Sequence, residues 1–159
     1  MTIRIRDAVP ADAKTIAAFN AAMALETEGK TLDGGLLEPG VAALLNDSAK
    51  GRYWIAEVDG EIAGQLMITY EWSDWRNGTM WWIQSVFVPE KNRRSGVFSA
   101  LYRHVEELAS AADNCCGIRL YVEESNERAQ DTYRALGMVS PGYSVMEVDF
   151  RKQEARSSC

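Results

Sequence analysis

The sequence predicts one α/β (α+β) domain in which a mixed, mostly antiparallel sheet carries helices, and three observations point to it. Short runs of period-two apolar residues alternate along the chain with longer runs of helical period. Asp59-Gly60 stands between YWIAEV and EIAGQLMITYEW, a two-residue hairpin signal because both turn positions tolerate positive φ. Residues 86–112, VFVPEKNRRSGVFSALYRHVEELASAA, join a strand to a helix through a basic turn that holds one glycine.

In chain order, residues 2–6 alternate as a strand. Residues 8–25 read as an amphipathic helix entered through Pro10 and Asp12, with Ile16, Phe19 and Met23 along one face. Residues 26–40 mix glycines, Pro39 and scattered charge, which predicts an irregular connection, and 41–45 a second short helix. Residues 52–58 and 61–72 are the strands of the hairpin, 73–78 a turn cluster, and 79–88 the strand that feeds the basic turn. The next helix starts around Gly96 and repeats Val97, Leu101, Val105 and Leu108 at helical spacing. Residues 117–123 set Ile118, Leu120 and Val122 against Arg119 and Tyr121, another strand. Asn126 is placed to cap a helix whose Ala129, Tyr133 and Leu136 share a face and whose stop is Gly137. Residues 142–150 alternate as a last strand, and 151–159 form a polar tail expected to fray. With no repeat and no low-complexity linker, a single domain over residues 1–150 is expected.

Composition narrows the function. A chain of 159 residues that is 47% apolar can bury one domain core. Its net charge of −6, with a pI near 4.9, argues against a nucleic-acid partner and against an anionic membrane, and favours a cationic substrate. The first residues, MTIRIRDAVPADAKT, lack the apolar centre of a signal peptide, and no run reaches the roughly 20 apolar residues of a membrane span. Cytoplasm is the expected compartment. Cys115, Cys116 and Cys159 show neither a disulfide framework nor metal-ligand spacing, so reduced thiols and no metal are expected. The sole histidine, His104, lies among Tyr102, Arg103, Glu106 and Glu107, which suits a surface or packing role better than nucleophilic or zinc chemistry.

The basic turn is suited to an anion. A helix start leaves several N–H groups without partners and carries partial positive charge, so a phosphate can sit there, and Arg93 and Arg94 add formal charge. A three-glycine dinucleotide fingerprint is absent, since RRSGVF has one glycine.

Arg93-x-x-Gly96 followed by a helix, and then Asn126-x-x-Ala129-x-x-x-Tyr133-x-x-x-Gly137-Met138, resemble the acyl-CoA signature and the closing helix of the GNAT superfamily of N-acetyltransferases. The resemblance covers nearly the whole chain and implies the GNAT fold, a six- to seven-stranded sheet flanked by about four helices in the order β-α-α-β-β-β-α-β-α-β, splayed between its fourth and fifth strands. It further implies acetyl-CoA, with the pantetheine arm along Val86, Phe87 and Val88 and the amide near Val86 polarising the acetyl carbonyl. The pyrophosphate would rest on Arg93, Arg94, Ser95, Gly96, Val97 and Phe98. Phe98 stands where the signature expects glycine or alanine, so its ring must turn aside. Asn126 and Ala129 would flank the cofactor, and Tyr133 would be the general acid. A phenol with a pKa near 10 stays protonated at neutral pH and can deliver its proton to the departing thiolate.

Residues 64–88, GQLMITYEWSDWRNGTMWWIQSVFV, are similar to the spermidine/spermine branch, which has an aromatic and acidic hairpin followed by a Glu-Asp pair in the fourth strand. Here that pair reads Gln84-Ser85. Gln84 is kept as a catalytic and substrate-contact candidate by position, although an amide takes up no proton usefully. Glu71 is then the first candidate base, beside Asp74, Glu26 and Glu28, with water as the other route. Tyr70, Trp72 and Trp75, with Glu26, Glu28, Glu71 and Gln84, are the candidate substrate contacts. Rings there can hold an amine by cation–π contact, or pack, or form a homodimer interface. The function expected is acetyl transfer to a primary amine, in particular a small cationic one. The alternatives are a protein lysine or N-terminal acetyltransferase, and an acyl-CoA-binding sensor or assembly module without turnover.

Overall fold

A computed structural model describes residues 1–152 of the chain. The chain divides into two compact units, Met1–Tyr121 and Val122–Cys159. The first holds a five-stranded sheet in the order β1-β2-β3-β4-β5: β1 (Ile3–Asp7), β2 (Arg52–Val58), β3 (Glu61–Ser73), β4 (Gly78–Phe87) and β5 (Cys115–Leu120). Three antiparallel pairings precede one parallel pairing, β4 with β5. Asp59 and Gly60 both take positive φ in the two-residue turn between β2 and β3, as the Asp-Gly pair predicts.

Helices cover both faces, so β2 is buried almost continuously instead of alternately. On one face lie α1 (Ala13–Glu28) and α2 (Gly34–Leu45), where Ile16, Ala17, Val41 and Leu44 pack on Tyr53 and Ile55. On the other lies α3 (Val97–Ala111), whose Val97, Leu101 and Val105 are fully buried. His104 on α3 meets the edge of the Trp54 ring at 6.1 Å, and Trp54 stacks on Trp81 at 6.3 Å.

Several boundaries differ from those read in the sequence. The helix expected over 8–25 runs to Glu28 because Gly29 is the first residue to take the left-handed turn that ends it. Most of the expected irregular connection is helix: the Asp33 carboxylate accepts from the Gly35 N–H at 2.8 Å and starts α2, which tolerates Pro39. The missing Pro39 N–H removes one rung of the helical ladder, and the packing of Leu37, Val41 and Leu44 outweighs that loss. The strand expected over 117–123 starts two residues earlier and stops at Leu120, where β4 ceases to pair with it.

The second unit contains α4 (Glu127–Ala135) and a short helical turn at Phe150–Lys152. The strand expected over 142–150 is not among the described strands, and among the described residues the sheet has five strands where six or seven are expected. Alternation at Met146, Val148 and Phe150 marks the right period, but a strand also needs a neighbour to complete its hydrogen bonds, and these side chains stand exposed. The remainder of the expected polar tail, residues 153–159, lies outside the described residues.

One ion pair fastens the start of the chain. Arg6 donates to both oxygens of Asp12, at 2.8 and 3.0 Å, and the Val9 N–H adds a third hydrogen bond at 2.8 Å. The Arg6 guanidinium, above all, holds the Asp12 carboxyl below the usual carboxylate range. A lowered folded value means that the stabilisation is complete above the unfolded value, near 3.9, and is lost as pH falls through the folded one. Asp12→Asn is expected to cost about 2 kcal/mol at neutral pH and to converge on the native chain in acid. Urea unfolding at a series of pH values checks it; a deficit that persists unchanged into acid would refute it.

Candidate active site

The site is organised by an irregularity in β4. Met67 pairs with Ser85 while Ile68 pairs with Ile83, so Gln84 is an extra residue, a β-bulge that bends and re-aims the strand. On the other side, pairing with β5 ends at Ile83 opposite Leu120. The two strands part there, as the splay of the expected fold requires. From Ser85 to Phe87 β4 therefore pairs, among the described strands, with β3 alone: Ser85 with Met67, Val86 with Leu66 and Phe87 with Gln65. An open strand edge of this kind offers its backbone groups to an extended ligand. Phe87 is anchored by Phe19 of α1, ring centre to ring centre 5.2 Å.

Beyond β4 the chain makes a short turn at Glu90–Asn92 and then the basic loop. Arg94 and Gly96 both take left-handed φ, 62° and 87°, and α3 begins at Val97 without a side-chain cap. Its first-turn N–H groups thus face a cavity of about 180 Å³ lined by Val88, Arg93, Arg94, Gly96 and Phe98, among others. Successive amides beside left-handed residues form an anion cradle. Arg93 braces it: Nε donates to the Val88 carbonyl at 2.8 Å and the guanidinium pairs with Glu26 at 2.6 Å. Arg94 is exposed and makes no ion pair among the described residues. The Ser95 hydroxyl donates to the Asn92 carbonyl, and the Phe98 ring lies beside Tyr102, 6.3 Å between centres. A Cβ on Gly96 would meet nothing nearer than Ile3 at 3.8 Å, so what glycine supplies there is conformation. Gly96→Ala is expected to strain the loop by about 1 kcal/mol and raise the acetyl-CoA dissociation constant several-fold. Calorimetry checks it, and unchanged affinity would remove this loop from the ligand site.

The hairpin candidates are dispersed. Both oxygens of Glu71 are engaged, one by Trp82 Nε1 at 2.9 Å and the other by Arg119 at 3.1 Å. Glu71 also lies five residues along β3 from Leu66, the partner of Val86, or about 17 Å of strand. Gln84 donates to the Thr69 hydroxyl at 3.1 Å. Tyr70 sets its edge on Trp81, while Trp72 and Trp75 are exposed near the hairpin tip. Asp74 accepts from the Trp75 N–H, and Glu28 pairs weakly with Lys30 at 3.8 Å. Of the acidic candidates, Glu26 alone is joined to the basic loop.

Another group was not singled out in the sequence. Tyr53, Met67 and Ser85 lie side by side across β2, β3 and β4, facing α1 and α2, and border a cavity of about 400 Å³. Asn20 of α1 reaches it too: its amide accepts from Gln65 at 2.7 Å and donates to the Tyr53 hydroxyl at 3.2 Å. Burial pushes the Tyr53 phenol above its ordinary value, while hydrogen bonds from Asn20 and Ser85 act the other way. Gln65 is fully buried, and its side-chain oxygen has no partner among the described residues. The available signal was Asn20 itself, a polar residue one turn from Ile16 on the apolar stripe of α1.

In the second unit, the Asn126 side chain accepts from the Ala129 N–H at 3.1 Å and caps α4. Tyr133 lies on the same helix two turns on, its phenol raised above the ordinary value by burial. Gly137 takes the left-handed φ of 92° that ends the helix.

The model of the acetyltransferase (GNAT) family matches residues 21–138, most of the chain. The chain belongs to the GNAT acetyltransferase family. A crystal structure of a possible acetyltransferase from Clostridium difficile 630 is 45% identical to this GNAT chain, with a TM-score of 0.88 over 94% of this chain and 98% of that one. Two more distant structures share the GNAT fold alone. One is a ribosomal-protein-alanine N-acetyltransferase from Brucella melitensis biovar Abortus 2308, 17% identical, with a TM-score of 0.73 over 94% of this chain and 100% of that one. The other is an aminoglycoside acetyltransferase from an uncultured soil metagenomic sample, in complex with sisomicin, 15% identical, with a TM-score of 0.72 over 92% and 95%. Among the described residues of this GNAT chain, no group of His, Cys, Asp and Glu gathers that could hold a metal ion. No described helix is long and apolar enough to cross a membrane.

Proposed function

We propose that this chain transfers an acetyl group from acetyl-CoA directly to a primary amine, without a covalent enzyme intermediate. The observation that carries the reading is the continuous run from the Gln84 bulge, along the unpaired edge of β4, into the left-handed loop and the uncapped start of α3. That run suits a thioester whose long arm is extended and whose far end is a pyrophosphate. Acetyl-CoA supplies the activated acetyl group. Backbone groups of Val86 and Val88 align the arm, the amide near Val86 polarises the acetyl carbonyl, and the cradle from Arg93 to Phe98 takes the phosphates, with Arg94 as the available cation.

The amine nitrogen forms the new bond to the acetyl carbon as the carbon–sulfur bond breaks. The nitrogen's proton passes to water, since the bulge presents an amide at Gln84 and the carboxylate of Glu71 is already engaged. Tyr133 gives its proton to the sulfur and recovers one from solvent. Asn126 and Ala129 hold the start of α4 in the register that carries Tyr133.

Thiol release measured over a panel of small amines and of peptides bearing a free N-terminus or lysine tests the reading, with acetyl-CoA binding measured in parallel. Turnover on a small amine supports it. Turnover on peptides alone makes the acceptor a protein, and tight binding with no turnover makes the chain an acyl-CoA-binding module.

A further inference from the structure

The 400 Å³ cavity beside β4 has a lining that reads as a specificity filter. Its floor is formed by Ser85, Tyr53 and Asn20, and Ser85 directly precedes Val86, the residue set against the acetyl carbonyl in the proposed reaction. Its walls are aliphatic: Leu36, Leu37, Val41 and Leu44 of α2 face Met67 of β3. Among the described residues the one charged side chain on the lining is Asp33, which is exposed and caps α2 through the Gly35 N–H. The polar atoms of the floor are neutral and meet at the Tyr53 hydroxyl, which is hydrogen-bonded to both Asn20 and Ser85, with the buried Gln65 behind Asn20.

An ammonium group taken in among the aliphatic side chains meets neutral atoms, since the Asp33 carboxylate is exposed to solvent, and the cost of desolvating an unpaired charge is large. The reacting nitrogen meets this demand by entering as the neutral amine, which is the nucleophilic form. A second ammonium further along the same molecule would have to lie between leucine side chains, and nothing on the walls would offset its lost hydration. A methylene chain or a ring there gains instead from burial, at about 0.8 kcal/mol per CH₂. The volume lies toward the small end for ligand sites.

We infer that the cavity is the acceptor site and that it selects a primary amine on a compact, uncharged apolar body, in preference to diamines and polyamines. This rests on the acetyl-transfer reading above for the identity of the reaction, and on the lining for the identity of the amine.

The test compares n-hexylamine with 1,6-diaminohexane, which share a chain length and differ in one charge. Thiol release at saturating acetyl-CoA is expected to give hexylamine a kcat/KM at least tenfold higher. In Leu36→Glu, which puts a carboxylate on the partly exposed wall, the preference is expected to shift toward the diamine by a similar factor while acetyl-CoA binding is retained. Equal or better use of the diamine by the native chain overturns the inference. If neither these two amines nor any other member of the panel is turned over although acetyl-CoA binds, the acetyl-transfer reading fails on its own. Direct titration of the two amines then decides the cavity: tighter binding of hexylamine, abolished in Leu36→Glu, supports the inference, and equal or absent binding overturns it.

Discussion

Tyr133→Phe is expected to lower kcat about 100-fold with the acetyl-CoA dissociation constant changed less than twofold. The substitution removes one oxygen and keeps the ring, so α4 retains its packing and its Asn126 cap. What is lost is a proton donor at the leaving sulfur. Burial raises the Tyr133 phenol above its ordinary value, which keeps it protonated throughout the neutral range. The sign of the pH dependence follows: an acid catalyst is active below its pKa, so loss of Tyr133 protonation produces no decline in rate until pH exceeds about 10. A thiolate that is protonated by water instead would leave kcat within about threefold of native. That result, or an equal fall in acetyl-CoA affinity, would remove Tyr133 from the role of acid.

Gly51→Ala is expected to destabilise the fold by about 3 kcal/mol, combining a backbone held at positive φ with a hard contact. Gly51 has φ 156°, and a Cβ there would lie 2.2 Å from the Ile68 carbonyl oxygen and 3.0 Å from Leu44. A flexible side chain could move aside, but a β3 carbonyl cannot shift without disturbing a central strand. Since Leu44 also walls the 400 Å³ cavity, the surviving folded fraction is expected to show altered amine KM before any change in acetyl-CoA KM. Chemical denaturation measures the first effect and steady-state kinetics the second. A loss below about 1 kcal/mol would mean that the strand relaxes freely at this point.

Much of the basic loop and of α4 was legible from residues alone, for a physical reason. The basic turn, its glycine, the helix start and the Asn126 cap are local devices, each written in a few consecutive residues. Arg93 was legible as a charge but not as a brace, because its partners Val88 and Glu26 are brought to it by the fold. The cavity proposed for the acceptor was largely hidden. Tyr53, Met67 and Ser85 are far apart in the chain and become neighbours only through strand register, and that register depends on an extra residue at Gln84 that no periodicity announces. Residues 26–40 misled for a different reason: their glycines and proline outweighed, by composition, the capping Asp33 and the leucines that make most of the segment helical. Residues 142–150 show the converse, a correct period that does not by itself secure a partner.

The Gln84 bulge also sets the parity of everything after it. Before it, Trp81 and Ile83 pair with Tyr70 and Ile68, on the side of the sheet that carries Trp54 and α3; after it, Ser85 and Phe87 pair with Met67 and Gln65, on the side of α1. Odd-numbered residues thus change faces within a single strand. Deleting Gln84 would remove only the extra residue: Ser85 would follow Ile83 directly, still opposite Met67 and on the side of α1, and β4 would lose its bend while keeping its faces. The two stretches of β4 thus obey opposite rules: an odd-numbered substitution before the bulge is felt on the side of α3, and one after it on the side of α1 and the 400 Å³ cavity.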